Sequence, residues 1–399
     1  MSRNRFLIIG TLGLAIAAGL VLMLFGREDA GPRAGYIDLA GNWVIEPRYR
    51  FSEAFVGEYA AVSFVGKYDP VGHTRGGIYG VIDRQGRMVI RPKYDWIRIS
   101  SNGLATVRIN GQLDVLDIKS KTLWGTDFGH VGEFRNGRAT FSTSSDELYG
   151  FIDATGRQVL EPQYSYPPHD FSEGLARVYG PNGAKFIDVD GQPIGGRTFG
   201  SITWFSCGLA AVMIDGKWGY INRSGRVIIP PRYDKARDFS PSLAPVRLGQ
   251  KYGFIDRSGK MVVQPTYQLA FGLSDGMGPV RLKERGPWGF VDHTGRLAIK
   301  PQFFDSSEFS DGLAPIQTGG KIDSDRRHMV NGKWGYIDKT GDFAIEPQFQ
   351  NAHPFRDGMA RVWTEGGVGI INTNGTFLIP PKFDYIGNFS KGIAEAITR

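Results

Sequence analysis

KWGYINRSGRVIIPPRYD, residues 217–234, is the stretch from which the fold of this 399-residue chain can be argued. An aromatic and β-branched run, Trp218 to Ile221, meets Asn222-Arg223-Ser224-Gly225, and a second run, Val227 to Ile229, meets Pro230-Pro231. Two short runs of strand-favouring residues around a turn-forming cluster predict a hairpin. Asn222 can accept hydrogen bonds from backbone N–H groups further along, and Gly225 supplies the positive φ that closes such a turn with a bulge. Proline cannot donate to a ladder, so Pro230-Pro231 is expected to end the second strand. A companion pattern, FSEGLARV from Phe171, adds a third strand at Leu175–Val178 behind a turn made by Ser172 and Gly174.

Working outward, the same pattern recurs from Gly35 to the C-terminus, mostly every 34 to 36 residues, with another full copy in KWGYIDKTGDFAIEPQF from Lys333. The turn acid or amide stands at Asp38, Asp83, Asp117, Asp153, Asp188, Asn222, Asp256, Asp292, Asp338 and Asn372, which defines ten units. The units at Asp117 and Asp188, the third and fifth, lose the Pro and aromatic half, which the others keep as in Pro231 with Tyr233 or Pro301 with Phe303. These residues and spacings resemble the WG-repeat family, also called KWG repeats, through Trp218-Gly219, Trp288-Gly289 and Trp334-Gly335. Tyr79, Tyr149, Tyr252 and Val368 take the Trp place elsewhere. The resemblance implies a β-rich repeat array and no particular chemistry.

A unit of two or three strands cannot bury its apolar face alone, and stacking on neighbours supplies the missing partner. The expected fold is therefore all-β, an elongated or superhelical β-solenoid of hairpins. A β-propeller-like ring is the alternative, disfavoured because propeller blades usually have four strands and longer periods.

Composition agrees with a folded, turn-rich chain. Hydrophobic residues are 41% and aromatic 13%, too many for disorder, and 55 glycines without a three-residue period point to many tight turns. The net charge of +7 is scattered and forms no basic element, so a nucleic-acid partner is not expected. One cysteine, Cys207, excludes an intrachain disulfide. It takes the place held by Glu173 and Asp311 in Phe-Ser-x-Gly and belongs in a turn.

At the N-terminus, Phe6 to Phe25 is an uncharged apolar run of bilayer-spanning length, preceded by Arg3 and Arg5. The expected organisation is a cytoplasmic N-terminus over 1–5, a transmembrane anchor or uncleaved signal over 6–25, a linker over 26–34 and the repeat domain over 35–399. The basic residues before the span place that domain outside the cytoplasm, periplasmic or at the cell surface, by the positive-inside rule.

Chemistry is sparse. Six histidines, His73, His130, His169, His293, His328 and His353, fall in dissimilar contexts, and no nucleophile, zinc or phosphate-loop motif is present. A recurring carboxylate once per unit, replaced by Asn in two, reads as turn capping, not as metal ligation. No catalytic residue, metal or cofactor is expected. The expected function is a non-enzymatic scaffold for a protein partner in the cell envelope, with glycan or peptidoglycan binding by aligned aromatics as the alternative. Candidate binding residues are Trp218, Trp288 and Trp334 for the aromatic version. For the protein version they are His73, Arg75, Arg326, Arg327 and His328, in two inserts that lengthen the spacing after Asp38 and after Asp292.

Overall fold

A computed structural model describes residues 31–398 apart from 69–73, 146–147, 170, 172–173, 320, 323–328 and 331. Each regular unit forms a four-stranded antiparallel meander, one strand more than expected. In the sixth, Ser201–Ile202, Leu209–Ile214, Lys217–Asn222 and Val227–Tyr233 lie side by side in chain order. The extra member is the two-residue strand at one edge, called the short edge strand below.

Numbering sheets by the turn residues from Asp38 onward, sheet 1 combines both ends of the chain. Arg33–Asp38 pairs with Ile393–Thr398 over six residues, flanked by Trp43–Tyr49 and Tyr385–Ile386. Sheets 3 and 4 share the strand Thr122–Val131 and merge into one seven-stranded sheet. Sheet 5 keeps only Leu175–Gly180 and Gly183–Asp188, completed by single bridges Ala184–Phe199 and Ile187–Pro193. The two units that lose the Pro and aromatic half are thus among those whose sheets depart from the pattern.

Successive sheets share hydrophobic clusters, and the sequence of clusters closes. Tyr36 and Ile45 of sheet 1 pack with Ala60 and Val62 of sheet 2. At the far end, Ile379 and Phe383 of sheet 10 pack with Ile37 and Ala394 of sheet 1. The expected open solenoid is therefore corrected. An open array leaves two free end sheets, whereas here the terminal strands complete one sheet and the array is the ring named as the alternative.

The recurring residues hold these interfaces. In several sheets the aromatic that follows the strand glycine meets the Phe at the turn of the next sheet. Tyr36–Phe55, Tyr220–Phe239 and Tyr336–Phe355 ring centroids all lie 4.7 Å apart, each such pair contributing about 0.5–1.5 kcal/mol beyond area burial. The same tyrosines donate their hydroxyls to the carbonyls of Glu53, Arg237 and His353 at 2.7–2.8 Å. Turn glycines pack across as well. A Cβ on Gly259 (φ +84°) would lie 2.9 Å from Ile229 Cγ2 in the preceding sheet, and one on Gly41 (φ +78°) would lie 2.8 Å from Ile379 Cγ2 across the closure.

Proline does not end the long edge strand. Phe343–Phe349 continues through Pro347 because Trp334 pairs with Phe349 and Tyr336 with Ile345, leaving Gly335 opposite a bulge. An unpaired bulge position on an edge strand needs no N–H donor, which is where proline is tolerated. Among the described residues no helix is long and apolar enough to cross a membrane. The proposed span over 6–25 and the segment 1–5 lie outside the described residues. The first strand begins at Arg33, inside the segment assigned to the linker.

Candidate functional site

In a four-stranded meander the first and third turns lie at one end and the second at the other. The Phe-Ser-x-Gly and Asp-x-x-Gly turns therefore share one face of the ring. Asp256 shows how the latter is built: its Oδ1 accepts from Ser258 N at 2.9 Å, Lys260 N at 3.0 Å and Ser258 Oγ at 2.6 Å. The Ser258 hydroxyl is the main reason its carboxyl sits below the usual range. Asn222 Oδ1 takes the equivalent bonds from Ser224 N and Arg226 N at 3.1 and 3.0 Å, so a charge is not required. The recurring acid is a turn cap, and among the described residues no three His, Cys, Asp or Glu side chains cluster as a metal site.

The residue after the acid does something the sequence reading missed. Arg84 donates to Gly57 O at 2.7 Å in its own sheet and to Ser390 O at 2.9 Å in the preceding one. Arg257 donates to Cys207 O at 2.8 Å, and Lys339 reaches Asp275 at 2.8 Å, each bridging to the preceding sheet. Asp275 and Asp311 also accept from Gly312 N and Gly358 N in the following sheet at 2.7 and 2.8 Å. Cys207 occupies this ring of contacts as an exposed thiol in a turn with φ +52°. This face is largely spent on holding neighbours together.

The opposite face carries the second turns. Most are tight, such as Asp215-Gly216, both with positive φ. In sheets 2 and 9 the turn is replaced by an inserted hairpin, Lys67–Tyr68 against Thr74–Arg75 and Lys321–Ile322 against Met329–Val330. Arg75 lies in the second strand of the first inserted hairpin, paired with Lys67. His73, Arg326, Arg327 and His328 lie outside the described residues.

The Trp-Gly indoles do not form an exposed ladder. Trp288 is 8% exposed, while Trp218 and Trp334 are half-buried against the clusters of their own sheets. Trp288 also carries the Arg281 guanidinium 4.0 Å from its ring centre.

Arginine, histidine and aromatic side chains gather instead along the short edge strands. Arg177 stacks 3.7 Å from the centre of Trp204 and donates to Ile202 O of sheet 6 at 3.3 Å. Arg281 donates to Phe304 O of sheet 9 at 3.2 Å. Arg361 donates to Ile386 O of sheet 1 and lies with its Nη2 3.5 Å from His353 Nδ1. His353 sits over Trp363 at 4.8 Å, and His169 holds the matching place between Tyr179 and Trp204 at 5.9 and 5.2 Å. Burial first, and the neighbouring Arg177 or Arg361 second, hold both imidazoles below their ordinary value. The shared signal was legible: His169 and His353 each stand two residues before the Phe of the Phe-Ser-x-Gly position. Two cavities open beside these strands, one around His130 and His169 and one around His353 and Asn388.

The family model for the WG containing repeat matches nine times, over residues 35–68, 79–112, 149–179, 186–218, 218–252, 252–285, 288–321, 334–365 and 369–396. No curated protein matches the chain significantly. Solved structures similar to it include a eukaryotic initiation factor (13% identity, 75% of this chain and 92% of that one, TM-score 0.47). Others are AztD of Citrobacter koseri (11%, 78% and 93%, 0.33) and Hsv2 of Kluyvelomyces marxianus (12%, 60% and 98%, 0.31). With the family model covering most of the sequence in repeated register, the chain belongs to the WG-repeat family.

Proposed function

We propose that this chain is a non-enzymatic scaffold, anchored in a membrane by residues 6–25, that binds a protein partner outside the cytoplasm. The observation carrying this reading is the placement of the two inserts. Both replace the same turn of their sheets, so both project from one face of a ring whose other face is occupied by contacts between sheets. Binding segments raised on loops above a rigid frame are the usual way a repeat scaffold gains a partner. The buried or half-buried Trp-Gly indoles weigh against the aromatic glycan reading.

The test replaces each insert with the Asp-Gly turn of sheet 6. The full chain carrying both replacements is expected to fold, stay in the membrane fraction and lose its captured partner from envelope extract. Capture of the same protein by the doubly replaced chain sinks the reading. Binding to purified cell wall, lost on exchange of Trp218 or Trp334 in folded variants, would favour the glycan version instead.

A further inference from the structure

We propose that the cavity where sheets 3, 4 and 5 meet is a binding site for a small oxyanion, the carboxylate or phosphate group of a ligand, with Arg98 as fixed positive charge and His130 and His169 as donors. This inference is independent of the partner reading above, since it concerns a different part of the ring.

The cavity holds about 290 Å³ and is lined by Arg98, His130, Gly132, Glu133, Thr140 and His169, with Pro167-Pro168 as a stiff wall. Two exchanges within the repeat set its lining apart. Gly132 and Thr140 stand where sheet 10 has His353 and Arg361, and in sheet 10 Arg361 reaches across, donating to Ile386 O and to Asn388 Oδ1 at 3.3 Å. With Thr140 in that place the cross-sheet clasp is missing here, and Thr140 lines the cavity instead. The degenerate third unit contributes as well. Its last strand, Thr122–Val131, runs on into sheet 4 and delivers His130 to the place of a short edge strand.

The lining is poised for an anion. The exposed Arg98 guanidinium lies 5.0 Å from the Trp96 ring centre, and Arg108 lies 5.8 Å from the same ring, so two fixed positive charges share one indole. Of the carboxylates nearby, Glu133 is paired with Arg135 at 2.9 Å. Glu53 of sheet 2 is pushed up to about 7 by burial, against the lowering influence of the Arg98 charge. His130 is fixed edge-on to Tyr149 at 5.5 Å, with its Nε2 3.4 Å from Thr140 Oγ1. Burial first and Arg98 second hold His130 below its ordinary value; for His169 the causes are burial and Arg177. Both rings are therefore neutral near pH 7, each with one N–H to give. An anion bound beside Arg98 cancels part of the repulsion that keeps His130 neutral, so binding takes up protons.

The test uses the full chain in detergent micelles, with imidazole resonances followed by NMR during separate titrations with inorganic phosphate and acetate at constant ionic strength. Saturable shifts of His130 and His169, with His353 unmoved, are expected for one anion or both; phosphate alone points to a phosphoryl ligand and acetate alone to a carboxylate. The His130 titration midpoint should rise in saturating ligand. Arg98→Met, which keeps the stem over Trp96, should weaken binding about tenfold or more. If that variant does not fold, His169→Gln, at an exposed side chain, replaces it with the same expectation. Unmoved His130 and His169 resonances, or shifts of the same size and affinity in the folded variant, overturn the proposal.

Discussion

Each Asp-x-x-Gly turn depends on one oxygen that accepts two backbone N–H groups, and this makes the turn acid replaceable by its amide but not by a hydrocarbon. Asp256→Ala leaves Ser258 N and Lys260 N without their acceptor and is expected to cost about 1 kcal/mol. Asp256→Asn should cost clearly less, as Asn222 already fills the role in sheet 6. Urea midpoints of the two variants check the order. Glycines of equal conformation should separate in the same way. Gly276 (φ +81°) has nothing within 4 Å of an added Cβ, so Gly276→Ala pays only for the left-handed backbone, about 1–2 kcal/mol. Gly259→Ala adds the collision with Ile229 and should lose a further 1–3 kcal/mol or so. Equal midpoints for the two glycine variants would contradict the reading that this glycine is an inter-sheet contact.

At the scale of the element, the Trp-Gly-x-Ile-Asp hairpin was legible because its signals are local: strand-favouring runs, a turn cap and a glycine at fixed offsets. Two features were not. A short edge strand such as Lys235–Ala236 is too brief to show any alternation, and it exists only because the neighbouring strand Leu243–Leu248 offers it a partner. The fate of the proline was misread because edge position and bulge, which permit it, are properties of the assembled sheet. The Trp-Gly glycine belongs to the same bulge. A Cβ on Gly335 would lie 2.6 Å from Ile345 O and 2.7 Å from Pro347 N, both backbone atoms that cannot step aside. Gly335→Ala is therefore expected to destabilise sheet 9 by about 2 kcal/mol or more, read as early loss of amide protection in Lys333–Ile337 by hydrogen exchange. Protection equal to that of the parent chain would remove the bulge as the reason for this glycine. The arginines and histidines of the candidate site escaped the sequence reading for a related reason. Arg98, His130 and His169 come from three sheets, and no spacing along the chain announces that they line one cavity.

For the whole molecule, the repeat period reports only how one sheet packs on the next, and that interface is the same in an open array and in a ring. The clue to closure lay at the ends. Among the described residues the hairpin of Asp38 has no Phe-Ser-x-Gly strand ahead of it, and Phe389-Ser390-Lys391-Gly392 leads into the strand Ile393–Thr398 that supplies the missing piece. Arg33 and Thr398 are paired neighbours, so a permutant joining them and opening Asp215-Gly216 should fold with an unchanged circular-dichroism spectrum; failure to fold would count against a closed ring. The closing strand also carries a charge unlike its counterparts. Glu395, 9% exposed, accepts from Ser52 Oγ of sheet 2 at 2.5 Å where other sheets have Arg177, Arg361 or Pro245. Burial, only partly opposed by the Ser52 bond and reinforced by Glu53, pushes its carboxyl up to about 7. A carboxyl whose folded value lies above its unfolded value favours the fold fully while both states are protonated. That contribution is lost as the pH rises from the ordinary carboxylate range through about 7. The turn acids, shifted the other way, weaken the fold only at lower pH. His130, His169 and His353, held below their ordinary value, act the other way up to the free imidazole range, so the clean measure is the urea midpoint of the parent chain minus that of Glu395→Gln, neutral at this position throughout, and that difference should fall between about pH 5 and pH 8. A difference that rises or stays level over this interval would mean that Glu395 is ionised in the folded seam.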